Sequence, residues 1–390
     1  MTFRFPLATT SWDKAEYDAL QRVIASDMFS MGPEVRKFEK KFAEFFGSKF
    51  AVMVNSGSSA NLLMTGALFY SKNDDIRLSQ GDEIIVPAVS WSTTYYPLSQ
   101  YGLVQKFIDI DLYTLNYDLE ALESAITPKT RAIMIVNLLG NPNNFDRIKK
   151  MIGDRNIILL EDNCESLGAR YQGKYTGTFG LLGSFSSFFS HHISTMEGGL
   201  VTTDDEELYH IMLSMRSHGW TRNLPHNNKV TGRKSDDAFA ESFNFVLPGY
   251  NLRPLEMSGA LGLEQLKKIP SLIKGRRENA EVFTETLSNH PIFSLQEEIG
   301  ESSWFGFSLL LRPGSNVSRA QLIEKLDANG FEVRPIVAGN FINNPVMQHI
   351  PHLIHGSLAN AEYIDSNGLF IGNHHYEINE AADVLKNMNF

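Results

Sequence analysis

Short apolar segments alternate with helical patterns through the first half of this chain, and this alternation limits the folds it can adopt. The apolar segments lie at 50–54, 83–86, 104–109, 132–136 and 157–161. The intervening sequence predicts helices at 60–69, 91–101, 118–126 and 145–152, and a further helix begins at 32–34. Strands that alternate with helices pair in parallel and are covered on both faces. The sequence therefore predicts an α/β fold with a mainly parallel central sheet.

The second half of the chain has a less regular pattern. Strands are predicted at 184–189 and 200–203, helices at 206–215 and 257–273, and a polar, mobile loop at 225–240. From about residue 303 a smaller unit follows, with strands at 306–311 and 331–334 and helices at 320–329 and 380–388. We predict a large domain at 1–255 and a small C-terminal α/β domain at 256–390.

Composition excludes several classes of protein. The chain has 390 residues, and 35 Lys and Arg against 45 Asp and Glu give a net charge of −10, which argues against a nucleic-acid partner. The single cysteine, Cys164, excludes an internal disulfide and a cysteine-based metal site. No apolar stretch reaches the roughly 18 residues of a membrane span, and the N-terminus has no signal-peptide pattern. We predict a cytoplasmic protein without a metal centre or a membrane partner.

The residues that follow each predicted strand are the first candidates for a site, because ligands of parallel sheets bind beyond the carboxyl ends of the strands. Gly57 and Ser58 follow the first strand and precede a helix. Backbone N–H groups at a helix N-terminus suit a phosphate group. The alternative is a structural helix cap formed by Ser58 or Ser59.

Two further strand ends carry candidate residues. Trp91 follows the second strand, where an indole can stack on a flat ring or simply pack half-buried. Asp162 follows the strongly apolar strand at 157–161, where a carboxylate can pair with a cationic ring nitrogen. Alternatively, Asp162 is a helix N-cap and Glu165, three residues later, completes a capping box.

Two adjacent histidines, His191 and His192, follow the predicted strand at 184–189. In an extended segment adjacent side chains point to opposite sides, so the pair is unsuited to binding one metal ion. One histidine can act as a base near neutral pH, while a buried structural role is the alternative for each.

Polar residues near 218–253 form a last group of candidates. Arg222, in the segment that begins at His218, can bind an anion through two hydrogen bonds or remain an exposed side chain without a role. Asn251 lies in an otherwise apolar neighbourhood, which favours a specific hydrogen bond.

Taken in order, these motifs resemble those of the sugar aminotransferases, a family of vitamin B6-dependent enzymes with the aspartate aminotransferase fold. The resemblance covers nearly the whole chain. Its motifs are the small residues at 57–59, Trp91, Asp162, the segments 184–191 and 196–199, and the segments 249–254 and 262–266.

The resemblance implies a cofactor, pyridoxal or pyridoxamine phosphate, and a phosphate site formed by Gly57, Ser58 and Ser186. Trp91 matches the residue that stacks on the pyridine ring, and Asp162 matches the carboxylate that pairs with its nitrogen. Glu165 occupies a position beside the ring that is often Gln or His in relatives. Asn251 matches an asparagine that reaches the phosphate bound by the neighbouring subunit, which implies a homodimer.

The chain departs from the family pattern at His191, where the family has the lysine that forms a Schiff base with the cofactor. An imidazole cannot form this bond. A histidine at this place, followed by a second one, resembles a branch of dehydratases that act on GDP-4-keto-6-deoxy-D-mannose with L-glutamate. The segments 86–96 and 217–222 resemble that branch too, which makes His218 and Arg222 candidates for substrate binding.

In that branch the C3 hydroxyl of the sugar is removed and ammonia is released, which implies that His191 is the acid and base. The dideoxysugars formed, such as colitose, enter bacterial lipopolysaccharide. Two alternatives remain open from the sequence. One is an aminotransferase whose Schiff-base lysine lies elsewhere, with Lys174 the nearest candidate. The other is a non-catalytic relative that binds the cofactor or a nucleotide sugar.

Overall fold

An eight-stranded sheet forms the centre of the computed structural model, which describes residues 3–389. In chain order the strands are β1 (Phe50–Val54), β2 (Glu83–Pro87), β3 (Val104–Ile108), β4 (Thr130–Val136), β5 (Ile158–Asp162), β6 (Arg170–Tyr171), β7 (Lys174–Tyr175), β8 (Leu182–Ser186), β9 (Gly199–Thr203), β10 (Asn227–Asn228), β11 (Gly232–Arg233), β12 (Phe293–Ser294), β13 (Gly306–Leu311), β14 (Val333–Arg334), β15 (His352–Ile354) and β16 (Gly368–Gly372).

The helices are α1 (Lys14–Ala25), α2 (Pro33–Phe46), α3 (Gly57–Phe69), α4 (Ser92–Gln100), α5 (Leu119–Ala125), α6 (Phe145–Ile152), α7 (Glu206–Met215), α8 (Ala238–Glu241), α9 (Glu256–Leu287), α10 (Arg319–Ala328), α11 (Ala359–Asn367) and α12 (Asn379–Lys386). Short 3₁₀ helices cover Leu138–Gly140, Phe341–Asn343 and Pro345–His349.

The central sheet has the strand order β1–β9–β8–β5–β4–β2–β3–β15. The six strands from β8 to β15 pair in parallel, and only β9 runs antiparallel to its neighbours β8 and β1. This arrangement confirms the predicted mainly parallel sheet. The carboxyl ends of β2, β4, β5 and β8 therefore meet at one edge.

Helices cover both faces of the sheet, as predicted. Side chains of α3, α4 and α7 form the core on one face, and those of α2, α5, α6 and α9 form the core on the other. Close approach of α2 to α9 requires a glycine at 262, because a Cβ there would lie 2.5 Å from Phe38 Cε1.

The ends of two predicted elements differ most from the structure. The strand predicted at 184–189 ends at Ser186, because Phe188 and Phe189 leave the core and are 39% and 49% exposed. The helix predicted at 257–273 continues to Leu287. Charged residues after Ile273 interrupt the apolar pattern, yet Arg276, Ala280 and Phe283 are buried and continue the inner face of the helix.

A second, antiparallel sheet with the order β12–β13–β16–β14 has its own core, to which α9, α10 and α12 contribute. The division at residue 255 coincides with the beginning of α9 and stays a prediction. The later part of the chain also returns to the central sheet, where β15 pairs in parallel with β3. Within residues 3–389, no helix is both long and apolar enough to span a membrane.

Candidate active site

A cavity of about 810 Å³ opens at the carboxyl edge of the central sheet. Residues that follow β1, β2, β5 and β8 form its base, and residues next to the second sheet form the facing wall. The sequence-predicted residues that line it are Gly57, Ser58, Trp91, Asp162, Glu165, Ser186 and His191. The topology thus brings together side chains that are more than 130 positions apart along the chain.

The first turn of α3 lies on one side of the cavity. Its cap is Ser56, whose hydroxyl accepts the Ser59 N–H at 3.0 Å, so the capping role considered for Ser58 or Ser59 is wrong. The first intrahelical hydrogen bond of α3 is donated by the Ala60 N–H to the Ser56 carbonyl oxygen, so the N–H groups of Gly57 and Ser58 have no helical partner. A Cβ at position 57 would lie 2.7 Å from Ser186 Cβ, so a glycine allows α3 to approach β8. These features fit a phosphate group.

Asp162 ends β5 and is buried at the base of the cavity. Its Oδ2 accepts hydrogen bonds from Asn61 Nδ2 at 2.8 Å and from the Thr94 hydroxyl at 2.7 Å. No helix begins at this point, so the capping-box interpretation is wrong. Among residues 3–389 no Lys, Arg or His forms an ion pair with Asp162. A buried carboxylate without a protein cation fits the protonated nitrogen of a pyridine ring.

Glu165 lies further along the same wall and accepts the Leu139 N–H at 3.0 Å. Burial, together with the nearby Asp162 carboxylate, raises the pKa of Glu165 to about 7. A carboxyl group with this pKa can both donate and accept a proton near neutral pH.

The two histidines face different surroundings. His191 lines the cavity, its ring centroid 5.1 Å from that of Phe305, and its Nδ1 has no hydrogen-bond partner among the described residues. His192 is buried behind it, with Nε2 3.1 Å from the Ser303 carbonyl oxygen. Burial, with a smaller effect of the Arg276 guanidinium, lowers the pKa of His191 to about 4. A neutral imidazole is therefore available as a base at neutral pH.

Trp91 caps α4 at the mouth of the cavity and is 57% exposed. An exposed indole at a cavity mouth can stack on a bound ring.

Three predicted site residues do not line the cavity of their own chain: His218, Arg222 and Asn251. The His218 ring packs against Trp220, and the Arg222 guanidinium lies 4.1 Å from the centre of that same indole. Asn251 is exposed and accepts the Arg253 Nε–H at 2.9 Å.

Sequence reasoning missed several residues that the cavity contains. Asn61 and Thr94 contact Asp162 from positions within helices, and neither was singled out as a site residue. Arg334, at the end of β14, is the only Arg or Lys among the described residues that line the cavity. Its place at the end of a predicted strand, 331–334, was the available signal. Lys174 lies outside, with Nζ 4.9 Å from the Phe179 ring centre. Residues 3–389 contain no cluster of three His, Cys, Asp or Glu placed to hold a metal ion.

Comparison with known proteins identifies the family to which this chain belongs. A sequence profile of the DegT/DnrJ/EryC1/StrS aminotransferase family matches residues 10–388. The chain belongs to this family. Its resemblance to sugar aminotransferases and the expected fold are thereby confirmed.

Some individual members of the family are similar to this chain over almost its whole length. The GDP-4-keto-6-deoxy-D-mannose 3-dehydratase of Escherichia coli O55:H7 is 61% identical over 98% of both chains. A crystal structure of GDP-4-keto-6-deoxymannose-3-dehydratase with a trapped PLP–glutamate geminal diamine has a TM-score of 0.97 at 60% identity, and covers 99% of this chain and 100% of its own. A crystal structure of a histidine-to-asparagine variant of GDP-4-keto-6-deoxymannose-3-dehydratase, with bound GDP-perosamine, has the same TM-score, identity and coverage.

Proposed function

We propose that this chain removes the C3 hydroxyl group of GDP-4-keto-6-deoxy-D-mannose. The reaction depends on pyridoxal or pyridoxamine phosphate and on L-glutamate, and it yields a GDP-4-keto-3,6-dideoxy sugar and ammonia. One observation carries the proposal: the cavity has the family's cofactor-binding features but no lysine among its described lining residues, and His191 lies where a family member's lysine is expected. The identity of about 60% to proteins with this activity supports it.

The lining residues suit the cofactor group by group. Gly57, Ser58 and Ser186 bind its phosphate, Asp162 pairs with the ring nitrogen, and Trp91 stacks on the ring. Glu165 lies beside the ring. The bound cofactor supplies an electron sink.

His191 moves the proton. Its neutral imidazole accepts a proton in the cavity and passes it to the C3 oxygen as that oxygen leaves the sugar. Because the side chain cannot form a covalent bond with the cofactor, the amine form remains available to the sugar ketone.

The two alternatives left by the sequence are less well supported. An aminotransferase would need a lysine at the cofactor, and Lys174 packs on Phe179 in a hairpin outside the cavity. A non-catalytic binder would not need a neutral, unpaired histidine beside the cofactor site.

Product analysis with GDP-4-keto-6-deoxy-D-mannose and glutamate tests the proposal. We expect one 2-oxoglutarate and one ammonia for each dideoxysugar. A GDP-linked aminosugar without ammonia would identify an aminotransferase, and no product at all from cofactor-loaded protein would identify a binder.

We also propose that the enzyme is a cytoplasmic homodimer in which Asn251 reaches the cofactor phosphate of the partner subunit. In support, Asn251 is exposed and lies outside the cavity of its own chain. Nearby Phe239, Phe243 and Phe245 are 91%, 68% and 56% exposed, which suits a protein interface. His218 and Arg222 lie in the same region, so we propose that they contribute to substrate binding in the assembled dimer.

A further inference from the structure

Two neutral side chains converge on a single oxygen of Asp162. Asn61 Nδ2 and the Thr94 hydroxyl both donate to Oδ2, at 2.8 and 2.7 Å, while Oδ1 accepts the Cys164 N–H at 3.2 Å. Asn61 and Thr94 are 2% and 1% exposed. Every one of these contacts is a donor, so together they restrict the rotation of the carboxylate.

The amide of Asn61 has only one orientation that satisfies its neighbours. Its Oδ1 accepts the Ser184 hydroxyl at 2.6 Å, and its Nδ2 also donates to the Thr93 carbonyl at 3.2 Å. A rotation that exchanged the two amide atoms would place Oδ1 against the carboxylate and the carbonyl oxygen. Ser184 on β8 is paired with Asp162 on β5. The Ser184 hydroxyl therefore orients the Asn61 amide, and that amide in turn holds the Asp162 carboxylate.

The hydroxyl of Thr94 is oriented in the same way. Its one proton is donated to Asp162, so the Ser90 hydroxyl, 2.8 Å away, must donate to Thr94. Both donors to Asp162 are thus held by a second hydroxyl behind them. Such chains polarise each bond and strengthen it.

The two donors lie on the same helices as two other proposed cofactor contacts, the phosphate site and the stacking ring. Asn61 follows Ser58 by three positions on α3, and Thr94 follows Trp91 by three positions at the start of α4. Residues at this spacing lie on one face of a helix. The helix that presents the phosphate site and the helix that presents the stacking ring therefore also hold the Asp162 carboxylate.

We propose that Asn61 and Thr94 are positioning residues that set the orientation of the Asp162 carboxylate relative to the phosphate and stacking sites. They act through Asp162 on the protonation of the pyridine nitrogen. The inference rests on the proposed cofactor site but not on the identity of the sugar.

The test uses Thr94→Val, which removes the hydroxyl and keeps the shape of the side chain. The full-length protein is loaded with pyridoxal phosphate, and the affinity and the absorption spectrum of the bound cofactor are measured against pH without sugar. We expect the pyridine nitrogen to lose its proton at a lower pH than in the natural protein. We also expect the affinity for the cofactor to fall about tenfold or more, as is typical for losing a hydrogen bond to a charged group. Asn61→Ala should shift both readouts in the same direction.

Thr65→Val is the matched control. Thr65 is also buried on α3, and its hydroxyl donates to the Asn61 carbonyl oxygen at 2.8 Å without contacting Asp162. It should leave the spectral midpoint unchanged, even if it lowers the melting temperature. Thr94→Ser retains the hydroxyl and should retain the midpoint of the natural protein.

Unchanged midpoints in both Thr94→Val and Asn61→Ala would overturn the inference. If Thr94→Val does not fold, Asn61→Ala and Thr94→Ser still decide the question. If ammonia is released from the ketosugar but these midpoints do not move, only the positioning role fails. If the midpoints move and no ammonia is released, the proposed reaction fails and the positioning role stands.

Discussion

At the scale of single residues, the cavity reverses the usual acidities of a histidine and a glutamic acid. The pKa of His191 falls to about 4 and that of Glu165 rises to about 7. In both cases the main cause is burial, which disfavours the charged form of either group. At neutral pH the His191 imidazole is therefore neutral, while Glu165 is close to half protonated.

Replacing His191 with Asn should separate cofactor binding from chemistry. Asparagine has no basic nitrogen, so we expect the variant to bind pyridoxamine phosphate normally and to lose elimination by about 100-fold or more, a typical effect of removing a general base. Ammonia release and cofactor fluorescence measure the two properties. His192→Asn is the control, because His192 contacts Ser303 behind the cavity. If His192→Asn is inactive while His191→Asn still dehydrates the sugar, the base is assigned to the wrong histidine.

Glu165 should make the cofactor-free protein less stable as pH rises. Its folded-state pKa of about 7 exceeds the ordinary 4.5, so the folded state holds this proton more tightly than the unfolded chain. The associated stabilisation is complete below pH 4.5 and is lost as pH increases to 7. Glu165→Gln, which is neutral at every pH, should gain relative stability over this range, by at most about 3 kcal/mol.

Denaturant unfolding of both proteins at pH 5 and pH 8 measures this difference. Glu298→Gln is a useful comparison, because burial also raises the pKa of Glu298, which lies outside the cavity. A constant difference between Glu165→Gln and the natural protein at both pH values would contradict the proposed titration.

At the scale of secondary structure, the approach of α3 to β8 leaves no space for a side chain at position 57. A methyl group there would lie 2.7 Å from Ser186 Cβ and 3.0 Å from Cys164 Sγ, so α3 would have to shift. We expect Gly57→Ala to weaken pyridoxal phosphate binding about tenfold. Such overpacking typically costs about 1–3 kcal/mol, and a loss of about 1.4 kcal/mol in binding free energy is a tenfold loss of affinity. Spectroscopic titration measures it.

Ser59→Ala is the control for this substitution. Ser59 is on the same turn of α3, but its side chain does not line the cavity and its hydroxyl contacts Ser56. Equal affinities in the two variants would mean that the close approach of α3 to β8 does not define the phosphate site.

Most of the central sheet could be predicted from sequence because its strands depend on local apolar patterns. Strand β1 and helices α6 and α7 have their predicted bounds, and β5 lies one position later than predicted, so that Asp162 is its last residue. Strand β15 and helix α1 could not be predicted in this way. Leu353 and Ile354 are half exposed, and α1 buries only one side against α9, so neither segment has a strong apolar pattern.

The same distinction holds for the site. Gly57 and Trp91 follow strands, Asp162 ends one, and all three belong to recognisable motifs. Asn61 and Thr94 became visible only when the sheet brought α3, α4 and β5 together. Their hydrogen bonds span 101 and 68 positions, and nothing in the local sequence indicates such a contact.

At the scale of the whole molecule, the proposed dimer predicts complementation between two inactive variants. Asp162→Asn damages a subunit's own site, whereas Asn251→Ala damages the site of its partner. A mixed dimer then has one intact site, formed by Asp162 of one subunit and Asn251 of the other. Mixing and reassociating the two variants should restore about a quarter of the natural activity, given random pairing into twofold dimers.

The measurement is ammonia release before and after the two proteins are unfolded and refolded together. Each variant treated alone is the control for partial recovery. No gain on mixing, with mixed dimers detected by differential tagging, would mean that Asn251 serves its own subunit or neither.

The return of β15 to the central sheet has a consequence for the order in which the protein is made. Strand β3 is complete once residue 108 has been synthesised, but its outer partner does not exist until His352–Ile354 emerge from the ribosome. During that interval β3 is an open sheet edge of buried residues, the kind of surface that pairs with other chains and aggregates. A fragment that stops at residue 255 keeps this edge open permanently. The segment that carries β15 thus closes this edge only in the finished chain, and a truncated large domain should aggregate more readily than the full chain.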